Sequence, residues 1–265
     1  MGAKGLIDPP PRGTAMEGLI TLAVVVLFAT YLALQRSAPG WLLAGFSLLT
    51  FIAICMRAVH PFLISLLCTL WVVLPVLIPF LTRWPLYKTT PLVVFAIVVA
   101  MVPKLRASVL WMRPGRLGAD VLLLVLVLML FSNAALIGWD VVCKPDLGPS
   151  RANIPTMPLW LLPLAGLAFA LINAAVEEAI FRGILLQALD SAIGVGVISV
   201  VIQAVLFGWM HYSEVGCPKG LLGVAMASVY GLMLGFLRNH ARGMLAPLVV
   251  HVGTDATVFV MVATF

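Results

Sequence analysis

Charge is scarce in this 265-residue sequence: Asp, Glu, Lys and Arg together make 10% of it, against about 25% in soluble globular domains. With 63% of the residues hydrophobic, too little polar side chain remains to cover a compact body in water, so an ordinary soluble fold is excluded. Cysteine is scarce as well. Four occur, without CxxC or His-rich spacing, and no zinc or redox motif can be read from them. No Ser-rich or charged linker divides the chain and no internal repeat is visible, so one domain is the economical reading. The first sixteen residues, with Pro9, Pro10, Pro11 and Gly13, lack the apolar run of a cleavable signal, and retention of the N-terminus is expected. The 16 basic and 10 acidic residues leave a net charge of +6, but the basic residues fall singly between apolar runs. They make no patch for nucleic acid and are read as topology signals.

What the chain has in quantity is long apolar segments. A helix rises about 1.5 Å per residue and the hydrocarbon layer is about 30 Å thick, so a span needs about 20 apolar residues. The candidates are residues 17–34, 41–56, 61–81, 91–103, 119–139, 158–189, 192–211, 220–237 and 243–264. The expected fold is all-α, a polytopic transmembrane helical bundle with eight or nine spans, the short segment 91–103 being the uncertain one. Residues 1–16 read as a polar tail, 17–157 as N-terminal transmembrane helices and 158–265 as the core that carries the chemistry. If all nine segments cross, one side holds Lys4, Arg12, Arg57, Lys104, Arg106, Arg113, Arg116, Arg238 and Arg242. The other holds Arg36, Arg83, Lys88, Lys144, Arg151 and Lys219. Nine against six favours a cytoplasmic N-terminus.

Most acidic residues are expected in loops, but Glu177 and Glu178 fall inside an apolar helix together with Arg182. A charge at a helix centre costs about 2.5 to 3.5 kcal/mol on insertion scales, so function is the default explanation. Glu178 and Arg182, four apart with the acid first, are placed to form an ion pair on one helix face. Glu177 lies about 100° around the helix and shares its face with Asn173 and Phe181. It has no local partner, and a buried carboxylate left unpaired beside a paired one is expected to be suited to accept a proton as a general base. Phe207 and His211 end one apolar helix, and His251 and Asp255 lie one turn apart in the last. Inward-facing side chains from three helices are a common way to build a site in a bundle. Gly208, Gly223, Gly231, Gly235 and Gly253 nearby allow close helix approach.

The set EExxxR at Glu177, Glu178 and Arg182, FxxxH at Phe207 and His211, and HxxxD at His251 and Asp255 resembles the CAAX protease and bacteriocin-processing family. This family of intramembrane glutamic proteases is also called Abi. The run LAPLVVH before His251 is similar to the last family motif, and the resemblance covers about residues 158–265. It implies a metal-independent endopeptidase without cofactor, in which Glu177 and His211 activate water while His251 and residue 255 stabilise the oxyanion. Its substrate would be a membrane-anchored or lipid-modified protein or peptide in the bilayer of a bacterial or archaeal cell. The family pattern accepts Asp beside Asn at position 255, but an ionised Asp cannot donate a hydrogen bond. Asp255 is therefore either protonated or an orienting partner for His251, and the second role is favoured.

Plainer readings stand beside these. A single intramembrane His can be a packing residue, and Glu178 with Arg182 reads first as a structural pair. Metal hydrolysis would need ligands from three helices and has no HExxH to begin from. A proton-coupled transporter would carry inverted repeats, which are not visible. A non-catalytic immunity or assembly factor on the same scaffold stays open. Trp41, Trp84, Trp111, Trp139 and Trp160 are expected near segment ends, and His60 and His240 at the interface. Cys55, Cys68, Cys143 and Cys217 are read first as free thiols, with a Cys143–Cys217 disulfide as the sharper alternative.

Overall fold

The computed structural model describes residues 13–34, 39–83, 85–109, 112–212 and 218–264. Trp84, Trp111, Cys217 and the basic residues Lys4, Arg12 and Arg36 lie outside these. Among the described residues the structure is helical without strands. The helices are α1 (Ala15–Ala33), α2 (Gly40–Cys55), α3 (Val59–Leu77), α4 (Leu86–Met101) and the short α5 (Pro103–Ser108). They continue as α6 (Ala119–Cys143), the single turn α7 (Gly148–Arg151), α8 (Leu162–Glu178), α9 (Leu186–Ile193), α10 (Val197–Met210), α11 (Gly220–Ala241) and α12 (Leu245–Thr264). Between α8 and α9, Ala179–Leu185 winds as a π-helix without breaking the rod.

Six stretches are long and apolar enough to cross a bilayer: Ala15–Ala33, Val59–Leu77, Ala119–Cys143, Leu159–Ile193, Gly220–Ala241 and Leu245–Thr264. Gly40–Cys55, Leu86–Met101 and Val197–Met210 are apolar but shorter. Each segment expected from the sequence is thus a helix, while spans of full length are fewer than eight or nine. The chain is an integral membrane protein whose apolar side chains also face outward. On α6, Leu123, Leu130 and Val141 are exposed, as lipid-facing positions are.

Local sequence sets several boundaries. Thr14 and Glu17 form a reciprocal capping box at the start of α1, which satisfies two of its free N–H groups. The segment anticipated from Pro91 begins five residues earlier, because Pro91 lies inside α4, close enough to its start that few hydrogen bonds are lost. Gly115 takes a left-handed φ of +86° and packs against Gly243, where a methyl group would stand 2.6 Å from the Ala241 carbonyl oxygen. That close approach lets the Arg116 N–H donate to the Ala241 carbonyl at 2.8 Å and the Met244 N–H to that of Arg113 at 3.0 Å.

These contacts gather helix ends on one face. The Gly13 N–H reaches the Ser191 carbonyl at 3.1 Å, and Gln187 Nε2 donates to the Ser108 carbonyl at 2.6 Å and lies 3.2 Å from His60 Nδ1. The beginnings of α1, α3, α6 and α12 therefore lie with the ends of α5, α9 and α11, the arrangement that alternate crossings produce.

Two basic residues counted as loop signals are buried in helices. Lys88 sits in the first turn of α4 and Arg238 in the last turn of α11. Asp190, another acid expected in a loop, is buried near the end of α9 and pairs with Arg238 Nη1 at 3.1 Å. One basic residue leaves each side of the tally, so its difference is unchanged. Cys143 is an exposed free thiol at the end of α6 and Cys55 one at the end of α2, while Cys68 is buried in α3. The alternative disulfide falls on Cys217, outside the described residues.

Candidate active site

The site lies where α4, α8, α10 and α12 converge. Glu177, Glu178, Arg182 and His251 are each at most 2% exposed, so their charges interact through protein and not through water. Glu178 is the hub. Its Oε1 lies 2.9 Å from Arg182 Nη1 and accepts a hydrogen bond from His251 Nδ1 at 2.7 Å. The contact with Arg182 is one of charge, since no guanidinium nitrogen meets a hydrogen-bond acceptor in line. The guanidinium lies instead over the Phe207 ring, 4.2 Å from its centroid, a cation–π stack that suits the planar group.

Phe207 also orders the two histidines. Its ring is 4.8 Å from that of His211 and meets that of His251 edge-on at 6.0 Å. His211 caps α10, and its Nδ1 donates to the Phe207 carbonyl at 2.9 Å. This bond fixes the neutral tautomer with a lone pair on Nε2, because a carbonyl can only accept. His211 is within electrostatic reach of Glu177, Lys88 and His251.

The sequence reading left Glu177 without a partner, and the structure corrects this. Lys88 of α4 forms a buried ion pair with Glu177 Oε1 and donates to Asn173 Oδ1 at 3.2 Å. Asn173 Nδ2 in turn donates to Asp255 Oδ2 at 3.1 Å. An ammonium has no acceptor and a carboxylate no donor, so these two partners set which end of the Asn173 amide faces which. The other oxygen of Glu177, Oε2, has no hydrogen-bond partner and stands 3.5 Å from His251 Nε2. Asp255 Oδ1 is 3.7 Å from the same nitrogen. Glu177, Lys88, Asn173, Asp255 and His251 thus form a closed polar ring.

The hydrogen bond that holds the imidazole comes from Glu178, while Asp255, expected to orient His251, faces its other nitrogen at ion-pair distance, 3.7 Å. Glu178 takes Nδ1, one helix away, and leaves Nε2 to face both Glu177 and Asp255. All seven residues singled out from the sequence come together. Two further ones were missed in this role: Asn173, noted only for its helix face, and Lys88, read as a loop cation. A hint of Lys88 was present, since a helix counted from Leu86 places it beneath the apolar run. Among the described residues, no group of three or more His, Cys, Asp or Glu is arranged to hold a metal ion.

A cavity of about 320 Å³ leads to this ring between α6, α11 and α12. Its walls are apolar, with Phe131, Leu136, Met226, Met233 and Val258, and it reaches His211, His251 and Asp255. Close packing of α10 on α11 positions its floor. A methyl group at Gly208 would stand 2.5 Å from the Val224 carbonyl oxygen, so only glycine permits this approach beside His211.

Residues 158–257 match the family model described as type II CAAX prenyl endopeptidase Rce1-like. This is the CAAX protease and bacteriocin-processing family. The matched span includes every residue of the polar ring and its supports except Lys88, while the cavity walls Phe131, Leu136 and Val258 also lie outside it. No curated protein and no solved structure gives a match. The family is one of membrane proteases, and the apolar cavity ending on buried acids and imidazoles is consistent with that chemistry.

Proposed function

We propose that the chain is an intramembrane glutamic endopeptidase with Glu177 as general base. It hydrolyses a peptide bond near the C-terminus or membrane anchor of a prenylated or otherwise lipid-modified substrate. The observation that carries this reading is the asymmetry of Glu177. One carboxylate oxygen is held by Lys88, and the other is unpartnered and turned toward His251 Nε2 at 3.5 Å.

In this mechanism Glu177 Oε2 takes a proton from water as the water oxygen adds to the scissile carbonyl carbon. His211, with Nδ1–H tied to the Phe207 carbonyl, offers the Nε2 lone pair that holds and polarises that water. His251 is oriented through Nδ1 by Glu178, and its Nε2, when protonated, donates to the oxyanion. Three carboxylates, Glu177, Glu178 and Asp255, face two fixed cations, Lys88 and Arg182. An imidazolium at His251 balances that charge. Asp255 accepts from Asn173 and keeps its other oxygen toward His251, a positioning role. Glu177 then passes its proton to the leaving amine as the carbon–nitrogen bond breaks. Lys88 beside Oε1 already brings a positive charge to this carboxylate, which supports a metal-free reaction.

Purified protein assayed on a prenylated C-terminal peptide tests this. Glu177→Gln and Glu177→Ala are expected to lose about 10² to 10⁴ of the rate per folded molecule, the usual contribution of a general base, and to lower the melting temperature because Lys88 loses its buried partner. Full activity in both variants overturns the assignment. Activity abolished by chelation and restored by Zn²⁺ would replace it with metal hydrolysis.

A further inference from the structure

Among the described residues of α1 to α6, Lys88 is the buried charged side chain. It lies outside the family-matched span, on a helix that packs chiefly on α3 and touches α8 at few places. We propose that Lys88 is a positioning residue for Glu177, so that the site is assembled from both halves of the chain. The inference rests on the general-base reading above and extends it beyond the residues that the family match includes.

The geometry points to positioning for three reasons. Lys88 is 8% exposed and its ammonium contacts Glu177 Oε1, so it selects which carboxylate oxygen is engaged and which faces His251. The same ammonium holds Asn173 Oδ1 at 3.2 Å, which turns the amide donor toward Asp255 Oδ2 at 3.1 Å. One cation thereby orients two carboxylates that flank the same imidazole nitrogen, at 3.5 and 3.7 Å. Removing it frees the Glu177 carboxylate to rotate and the Asn173 amide to flip. A displacement near 1 Å at a reacting group can cost about 10² in rate.

The bland alternative is a staple that ties α4 to α8 and does nothing in turnover. Lys88→Met keeps the length of the side chain and removes its charge, whereas Lys88→Arg keeps the charge. On the prenylated peptide, Lys88→Met is expected to lose about 10² in kcat with little change in KM, and Lys88→Arg to keep at least roughly a tenth of the wild-type value. A second readout needs no substrate. Lys88→Met should lower the melting temperature, and adding Glu177→Gln to it should restore much of the loss, because the pair and not either residue is what the fold tolerates.

Full activity per folded molecule in Lys88→Met overturns the proposal, as does a Lys88→Arg variant no better than Lys88→Met. Additive melting-temperature shifts would show that the two residues do not interact and overturn it as well. The two readings fail separately. An active Glu177→Gln removes the general base itself, whereas an inactive Glu177→Gln beside an active Lys88→Met removes only the role of Lys88.

Discussion

Helices α1 to α3 and helices α8 to α12 bury different kinds of side chain. The first group closes on Val24, Phe28, Leu42, Phe46, Ile64 and Trp71, an interior of apolar shapes. The second encloses Glu177, Glu178, Arg182, Asp190, Arg238, His251 and Asp255. Apolar packing tolerates exchange of one shape for another of similar volume, whereas buried charges are tolerated only in matched sets. The comparison teaches that the first region can be generic in sequence while the second cannot. The two share apolar contacts, as where the Phe28 ring stands 6.4 Å from that of Phe181, and Lys88 of α4 brings a charge to the second from outside it.

The largest effect expected is on rate, in the charged region: Glu177→Gln should lose about 10² to 10⁴ in turnover per folded molecule, and it should also melt below wild type because the buried Lys88 ammonium loses its charge partner. Next comes Arg182→Ala, which strands Glu178 and uncovers the Phe207 ring. Breaking a buried pair of this kind costs about 3–5 kcal/mol, so the variant should express poorly or melt well below wild type. Glu178→Gln should do less harm to stability, since an amide oxygen can still accept from His251 Nδ1. Its turnover should fall, because the imidazole loses the ionic partner that orients it through Nδ1. A Glu178→Gln variant with normal turnover would return that residue to a purely structural role.

Gly208→Ala lies between the two kinds of interior. The added methyl group meets backbone at 2.5 Å and backbone cannot swing aside, so overpacking should cost about 1–3 kcal/mol. Displacement of α10 also carries His211 with it, and kcat should drop together with stability. Phe46→Ala, within the apolar region, should cost about 1–2 kcal/mol. The unfolded helices remain in lipid, so lost packing counts and transfer from water does not. Turnover per folded molecule should hold, and a large loss would show that the N-terminal helices govern the site beyond Lys88. Smallest is Asp120→Asn. Asp120 accepts from Arg116 Nη2 at 2.7 Å and lies 2.8 Å from His240 Nε2, but at an exposed corner where such pairs contribute little. No resolved change in melting temperature or rate is expected.

The elements legible before the structure were those with local causes. Apolar run length marks each helix, because lipid leaves the backbone no partner outside the helix. The Glu178–Arg182 contact follows from four-residue spacing on one turn, and the glycines near His211 follow from their lack of a side chain. Segment ends were less legible: α4 reaches back to Leu86 past Pro91, since a proline near a helix start is tolerated. The Asp190–Arg238 pair spans 48 residues of sequence, and both its members look like loop residues when each is read against its own neighbours.

From its amino acids alone, the chain declares itself a membrane helical bundle and names the acids and imidazoles that cannot sit in lipid without purpose. Periodicity and hydropathy are properties of adjacent residues, so they survive in one dimension. Which carboxylate holds His251, and that Glu177 is capped by Lys88 across 89 residues of sequence, only the packing of α4, α8 and α12 decides. A buried charge takes the partner that comes nearest in space, and distance in space is set by how helices cross.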